Sequence, residues 1–301
     1  MIKFGILIST KNRLDDIKFT LQNSAYLINR DDVECLVCDD GSIDGTSTFI
    51  KENYPNIQLI THAKSKGYMY SRNKMLNATK AKYAISLDDD AHFITKNPLE
   101  KIDTYFNKSK QCGVIAFRLF WNELPPETTV SIHKPERVKS FVGCGHVWNM
   151  EAWKAIPNYP EWFVFYGEEE FASYQLFKNK WEVNYVPDVL VNHRVNIKGR
   201  KNNKDYSIRL RRSLRSGWYL YVLFYPYKII PKRFLYTLWI QLKMKVFRGD
   251  VKASLGIAQA IGDLVINLPR LLRNANRFSE KEFDEYSKLS EPKLYWTPKD
   301  L

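Results

Sequence analysis

An α/β fold, with a mostly parallel sheet flanked by helices and a helical extension at the C-terminus, is what this sequence predicts, and three observations carry the prediction. Through the first ninety residues short β-rich runs alternate with stretches of helical periodicity. The loops after those runs gather carboxylates, hydroxyls and amides. Beyond residue 203 the pattern becomes helical, aromatic and basic.

The elements follow in order. Phe4 to Ile8 reads as a strand, Asp15 to Ile28 as a helix, Glu34 to Cys38 as a second strand and Thr46 to Glu52 as a helix. Ile57 to Ile60 is a third strand, Tyr68 to Ala78 a helix and Tyr83 to Leu87 a fourth strand. Right-handed crossovers place every loop that follows a strand on one sheet edge, where ligands of open α/β sheets collect. The loops brought there are Ser9-Thr-Lys-Asn-Arg13, Asp39-Asp-Gly-Ser42 and Asp88-Asp-Asp90. The stretch from Cys112 to Pro160 is less regular, with Gly143-Cys-Gly145 ahead of Val147-Trp148. Tyr166-Gly-Glu-Glu-Glu170 opens a helix running to about Lys178, and Glu182 to Val186 is a strand. Tyr206 to Tyr225, Lys232 to Phe247 and Val251 to Leu272 are three further helices, the first ended by Pro226 and the second begun near Pro231.

Composition narrows the class. A chain of 301 residues, 45% hydrophobic and 14% aromatic, has ample material for a core. The N-terminus has a short apolar run after one lysine and no small-residue cleavage site, so it reads as a strand and not a signal peptide. No run reaches 18 uninterrupted apolar residues, which argues against a membrane span and for a cytoplasmic protein. Cys35-Leu-Val-Cys38 lies within a strand, where an offset of three sends the side chains to opposite faces. The pair therefore reads as buried hydrophobes.

Charge divides the chain. Residues 1–193 hold 23 basic and 24 acidic residues, whereas residues 194–301 hold 23 and 9, a net +14. Arg194 to Lys252 alone has 16 basic residues and two acidic ones. Phosphates or anionic lipid suit such a surface. Its Trp and Tyr residues, interleaved with Lys and Arg, suit a membrane interface, or packing on the domain or on a second subunit. No zinc, helix-turn-helix or ribonucleoprotein signature supports nucleic acid as the partner. Neither G-x-G-x-x-G nor a Walker A sequence occurs, and the loop after the first strand lacks the glycines of a pyrophosphorylase.

The triplet Asp88-Asp89-Asp90 at the end of the fourth strand is the most informative feature. Three packed carboxylates repel unless a cation is present, and Mn²⁺ or Mg²⁺ prefers oxygen ligands and commonly carries a phosphate. Glu168 to Glu170 has two readings, charge compensation at a helix N-terminus and a catalytic role.

With these motifs on the page, the chain from Ile2 to about Arg215 resembles the inverting family 2 of nucleotide-sugar glycosyltransferases, which have the GT-A, Rossmann-like fold. The resemblance rests on the order and spacing of Ser9-Thr-Lys-Asn-Arg13, Cys38-Asp-Asp-Gly-Ser42, Lys66-Gly67 with Arg72-Asn73, Leu87-Asp-Asp-Asp90 and Gly167-Glu-Glu169. It implies a catalytic domain over 1–203, with a nucleotide-binding half about 1–110 and an acceptor half about 111–203, followed by a C-terminal region over 204–301.

The resemblance also implies roles. Asp39 would accept a hydrogen bond from the base, usually uracil. Thr10 and Arg13 would line the nucleotide pocket, Arg72 would face the donor, and Asp88 with Asp89 would lie near the ribose and the metal. Asp90 would ligate Mn²⁺ or Mg²⁺, with His193 beside it. Arg212, within the run Arg209, Arg211, Arg212 and Arg215, would cover the diphosphate. Glu169 would be the catalytic base, with Glu168 and Trp148 toward a saccharide or lipid-linked acceptor. The family often reads Glu-Asp-x-Asp, whereas this chain has Glu168-Glu-Glu-Phe171 and Gln175 where a basic residue often stands, so Glu168 and Glu170 stay open as alternatives for the base. A saccharide-binding, nonreacting relative is the rival reading, against which the acidic residues at 39, 88, 90 and 169 count.

Overall fold

The computed structural model describes residues 2–195 and 205–293. The expected boundary at residue 203 lies outside the described residues. The first half runs β1 (Phe4–Thr10), α1 (Leu14–Ile28), β2 (Val33–Asp39), α2 (Thr46–Asn53), β3 (Gln58–Thr61), α3 (Tyr68–Ala78) and β4 (Tyr83–Asp88). Strands β3, β2, β1 and β4 lie side by side and parallel. The central strands β1, β2 and β4 are mostly apolar because both their faces are covered. Ile6, Ile8, Cys35, Val37, Ile85 and Leu87 enter one core layer, and Leu7, Leu36, Cys38 and Ala84 enter the other. Cys35 and Cys38 thus sit on opposite faces of the sheet, both buried and free.

Past β4 the sheet becomes mixed. The chain continues through β5 (Ala91–Phe93), α4 (Pro98–Lys108), β6 (Cys112–Trp121), β7 (Glu136–Val138), β8 (Gly145–Asn149), α5 (Met150–Lys154), α6 (Glu168–Lys178) and β9 (Glu182–His193). Strand β8 lies antiparallel between β4 and β6, β9 is parallel to β6, and β5 and β7 are antiparallel to β9. The parallel order read from the sequence holds for the first four strands, and β6 with β9 adds one further parallel pair. Strand β9 also runs seven residues past the predicted end at Val186. Pro187 cannot donate to the ladder. The sheet absorbs it by a register shift, Phe117 facing Val186 and Arg118 facing Leu190, and pairing resumes as far as His193.

The C-terminal helices are α7 (Tyr206–Phe224), α8 (Ile230–Met244), α9 (Val251–Arg273) and α10 (Glu280–Ser287). They differ in how they are held. Tyr219, Leu220, Leu223 and Phe224 of α7 join the core layer that holds Phe163, Phe171 and Tyr174, each such burial contributing roughly 1.5–3 kcal/mol. The opposite side of α7 puts Trp218 on Ile257 and Ala260 of α9. Arg211 grips Asp263 with two hydrogen bonds of 2.7 and 2.6 Å. By contrast, α8 buries no residue, and it exposes Leu235, Tyr236 and Trp239 on one face. Packing on the domain is thus the outcome for α7 and part of α9. Among the described residues α9 alone is long and apolar enough, by length and composition, to cross a membrane. Gln259 and Asp263 interrupt its apolar residues, so it contains no uninterrupted apolar run of 18.

The α7–α9 contact is close at Gly256, where an added Cβ would come 2.9 Å from the Ser207 carbonyl oxygen. Backbone cannot yield there as a flexible side chain would. Gly256→Val should lower unfolding stability by about 1–3 kcal/mol, read as a reduced urea midpoint at unchanged slope.

Candidate active site

Sheet register assembles the first cleft. It sets Thr10 beside Asp39 and Ser9 beside Asp88. After Asp88 the chain reverses into β5, whose antiparallel pairing with β9 puts Ala91 opposite His193. One ligand atom each from Asp88, Asp90 and His193 consequently lie within 4.8 Å of one another. His193 Nε2 is 3.0 Å from Asp90 and 3.9 Å from Asp88. Arg13 Nη2 donates to Asp90 at 2.8 Å.

Burial would raise the Asp90 carboxyl, but hydrogen bonding and charge from His193, then Arg13, outweigh it and hold the group at about 2. Burial works against a charged His193, yet the neighbouring Cys144 and Asp90 push it up. Asp89 turns away from this pair. It accepts from Thr10 Oγ1 at 2.8 Å and lies 3.3 Å from Arg13 Nη1. Burial, opposed by Arg13 and reinforced by Asp90, raises its carboxyl to about 7.

Two carboxylates and an imidazole suit Mn²⁺ or Mg²⁺. The placement of Asp90 Oδ1 supports the fit, because it is buried and lies 3.0 Å from His193 Nε2 within the cluster. The cleft beside this cluster has a volume of ≈ 660 Å³. Thr10, Arg13 and the three aspartates form its floor, Lys66 to Tyr68 and Val164-Phe165 its sides, and Arg209 with Arg212 reach it from α7.

Some expected positions stand elsewhere. Arg72 does not face the cleft; it is buried, bonds Asp88 at 2.5 Å and lies over the Tyr68 ring, so it orients a metal-side carboxylate. Asp39 is buried and accepts from the Ser42 N–H at 2.8 Å and from the Ser47 hydroxyl, while Asp40 lines the cleft in its place. Asp40 accepts from the backbone N–H groups of Lys66 at 2.7 Å and Gly67 at 3.0 Å, and so pins the loop ahead of α3. Its only sequence signal was the second acid of Asp39-Asp40. Arg211 and Arg215, four residues apart and so neighbours on one face of α7, turn away from the cleft to Asp263, at 2.6 and 3.6 Å. Trp148 is fully buried, its Nε1 bonded to Tyr159 Oη at 3.3 Å. It cannot touch an acceptor because Phe141, Trp153 and Tyr159 pack around its ring.

A second cleft, ≈ 510 Å³, adjoins the first and holds Glu169 between Trp121, Tyr166 and Tyr221. Glu169 accepts from the Gly143 N–H at 3.0 Å. Burial, then Glu168 and Glu170, raise its carboxyl well above the ordinary value. Glu168 is buried under Arg72's influence, and burial with Glu170 raises it too. A Cβ on Gly143 would lie 2.7 Å from Glu169 Oε1 and 3.2 Å from Tyr68 Oη, and that tyrosine hydroxyl is 3.3 Å from Asp88. Tyr68, unflagged by any motif, thereby joins the metal side to the Glu169 side. The chain between the clefts is strained: Val164 and Tyr166 both have φ +70° ahead of Gly167 at +88°, and a β-branched residue there is an outlier.

The fold and the adjoining clefts belong to the class of GT-A glycosyltransferases. The chain itself is a member of the family described as Glycosyl transferase family 2, whose profile matches residues 5–165. No curated protein sequence matches it. Among solved structures, GalNAc-T7 with UDP, GalNAc and Mn²⁺ is similar in fold at TM-score 0.59 and 13% identity, over 90% of this chain and 58% of that one. The chain therefore spans little more than half of GalNAc-T7. The mannosyltransferase PcManGT from Pyrobaculum calidifontis, with GDP-Man and Mn²⁺, matches at TM-score 0.53 and 15% identity over 95% and 78% of the two chains. S. aureus TarS 1-349 with UDP-GlcNAc matches at 0.57 and 16% over 91% and 84%.

Mn²⁺ at a hundredfold excess over its Kd should stabilise the protein by about 2.7 kcal/mol. Asp90→Ala should abolish that gain, measured as a metal-dependent rise in Tm that the variant lacks.

Proposed function

We propose that the protein transfers a sugar, with inversion, from a nucleoside-diphosphate sugar to a hydroxyl of a saccharide or lipid-linked saccharide in cell-surface glycan synthesis. The observation that carries this reading is the junction at Gly143, where the Glu169 carboxylate and the Tyr68–Asp88 pair meet across adjoining clefts. The donor lies in the cleft of Thr10, Arg13 and the aspartates, with uridine favoured; similar solved structures hold UDP, UDP-GlcNAc or GDP-Man. Asp39 and Asp40 hold the loops against which the base rests. Asp90, Asp88 and His193 hold Mn²⁺ or Mg²⁺, which when bound offsets diphosphate charge. Arg209 and Arg212 add cationic cover from α7.

Glu169 removes the acceptor proton as the oxygen attacks the anomeric carbon from the face opposite the leaving diphosphate. Its raised carboxyl has a consequence for rate. The base acts only when ionised, so turnover rises with pH through a window above the ordinary carboxylate range. Glu169→Gln should lower kcat by about 10²–10⁴-fold with donor affinity kept, and should remove the rise of kcat with pH. Undiminished turnover in that variant moves the base elsewhere.

Residues 1–203 form the catalytic part in this reading and 204–301 the part that finds the acceptor. The protein is cytoplasmic and peripheral, held at the inner face of an anionic membrane. Support comes from α8, a helix that rests on α7 through Phe234, Thr237 and Leu238, presents Leu235, Tyr236 and Trp239 outward, and lies in the most basic stretch of the chain. Vesicles rich in anionic lipid should pellet the protein at low salt, and Leu235→Glu with Trp239→Glu should abolish pelleting. Concentration-dependent dimerisation lost in that variant, without vesicle binding, assigns the face to a second subunit instead.

A further inference from the structure

The Glu169 cleft does not end at Glu169. Its wall continues through Glu170, Tyr174 and Pro292, and the same three residues line a second, more enclosed cavity of ≈ 260 Å³. That volume falls below the roughly 300–1,000 Å³ of sites for drug-sized ligands and suits a single ring.

The cavity wall mixes aromatic faces with hydrogen-bonding groups. Tyr174, Tyr225 and Tyr286 supply rings, and Tyr225 Oη lies 3.5 Å from Tyr174 Oη. Glu170 supplies a carboxylate that forms no ion pair among the described residues, and burial followed by Glu291 raises it above its ordinary value. Lys139, at the rim, is already committed to Glu291 at 2.5 Å. With Arg233 also in the wall, two cations (Lys139, Arg233) face two carboxylates (Glu170, Glu291), so the lining has no net charge to select an ion, and a purely apolar ligand would bury Glu170 without a donor. A neutral ring with hydroxyls satisfies both parts of the wall: its C–H face stacks on tyrosine, and its O–H groups donate to the carboxylate.

The chain builds this cavity deliberately from its far end. After α10 the backbone returns to β7, where Val138 bridges Ser290 and the Lys139 N–H donates to the Ser290 carbonyl at 2.8 Å. Tyr286 Oη donates to the Lys139 carbonyl at 2.5 Å. These bonds set Pro292 over both cavities.

We propose that this cavity is a second acceptor subsite, which seats a neutral sugar unit next to the one that is glycosylated, so that the acceptor is a glycan of at least two sugars. The inference rests on the acceptor reading of the Glu169 cleft. Ligand-observed saturation-transfer NMR on the full chain, loaded with Mg²⁺ and UDP, tests it with glucose and cellobiose, galactose and galactobiose, and N-acetylglucosamine and chitobiose. At least one disaccharide should bind about tenfold or more tightly than its monosaccharide, a gain of about 1.4 kcal/mol, with saturation reaching both rings. Glu170→Gln and Tyr225→Phe should each remove most of that advantage while UDP binding persists. The subsite is overturned if every disaccharide binds no tighter than its monosaccharide, or if the advantage survives both substitutions. Failure of the wild-type protein to bind UDP sinks the donor reading itself, and this inference with it.

Discussion

Compensation of three adjacent carboxylates is the constraint on which the rest of this structure depends. Asp88, Asp89 and Asp90 leave one strand end as consecutive residues, and three cations answer them: Arg72 at Asp88, Arg13 at Asp89 and Asp90, and His193 at Asp90. Those cations come from α3, the loop after β1 and the end of β9, so the charge problem ties together three distant parts of the chain. Arg72, Asp89 or Asp90 left without its partner would be a buried charge with none, which costs far more than the pair returns. The sheet register is therefore supported by electrostatics as well as by apolar burial.

Much of the first half was legible in the sequence, for a physical reason. Strands buried on both faces must be apolar runs, and helices between them must be amphipathic, so β1 to β4 and α1 to α3 announced themselves within two residues at nearly every end. Their polar loops could meet only at one edge. The second half hid its geometry because antiparallel insertion of β8 and the bulge near Pro187 depend on partners distant in the chain. The destination of His193 was legible as a type of residue and not as a place.

Side-chain direction was the poorest signal. Arg72 and Trp148 have the chemistry of ligand contacts, yet burial assigns one to orienting Asp88 and the other to the core. Tyr68 has no motif and still occupies the meeting point of the clefts. In the C-terminal region the aromatic residues served two purposes at once: Tyr219 and Phe224 of α7 complete the core, and Tyr236 and Trp239 of α8 lie exposed. Composition reported their sum and could not apportion it.

The reversal at Val164 to Gly167 sets Phe165 against one cleft and Tyr166 against the other. Neighbouring residues share a peptide plane and sit only about 3.8 Å apart. A backbone shift that widens one cleft accordingly moves the wall of the other, and whatever free energy couples occupancy of the two acts equally in both directions.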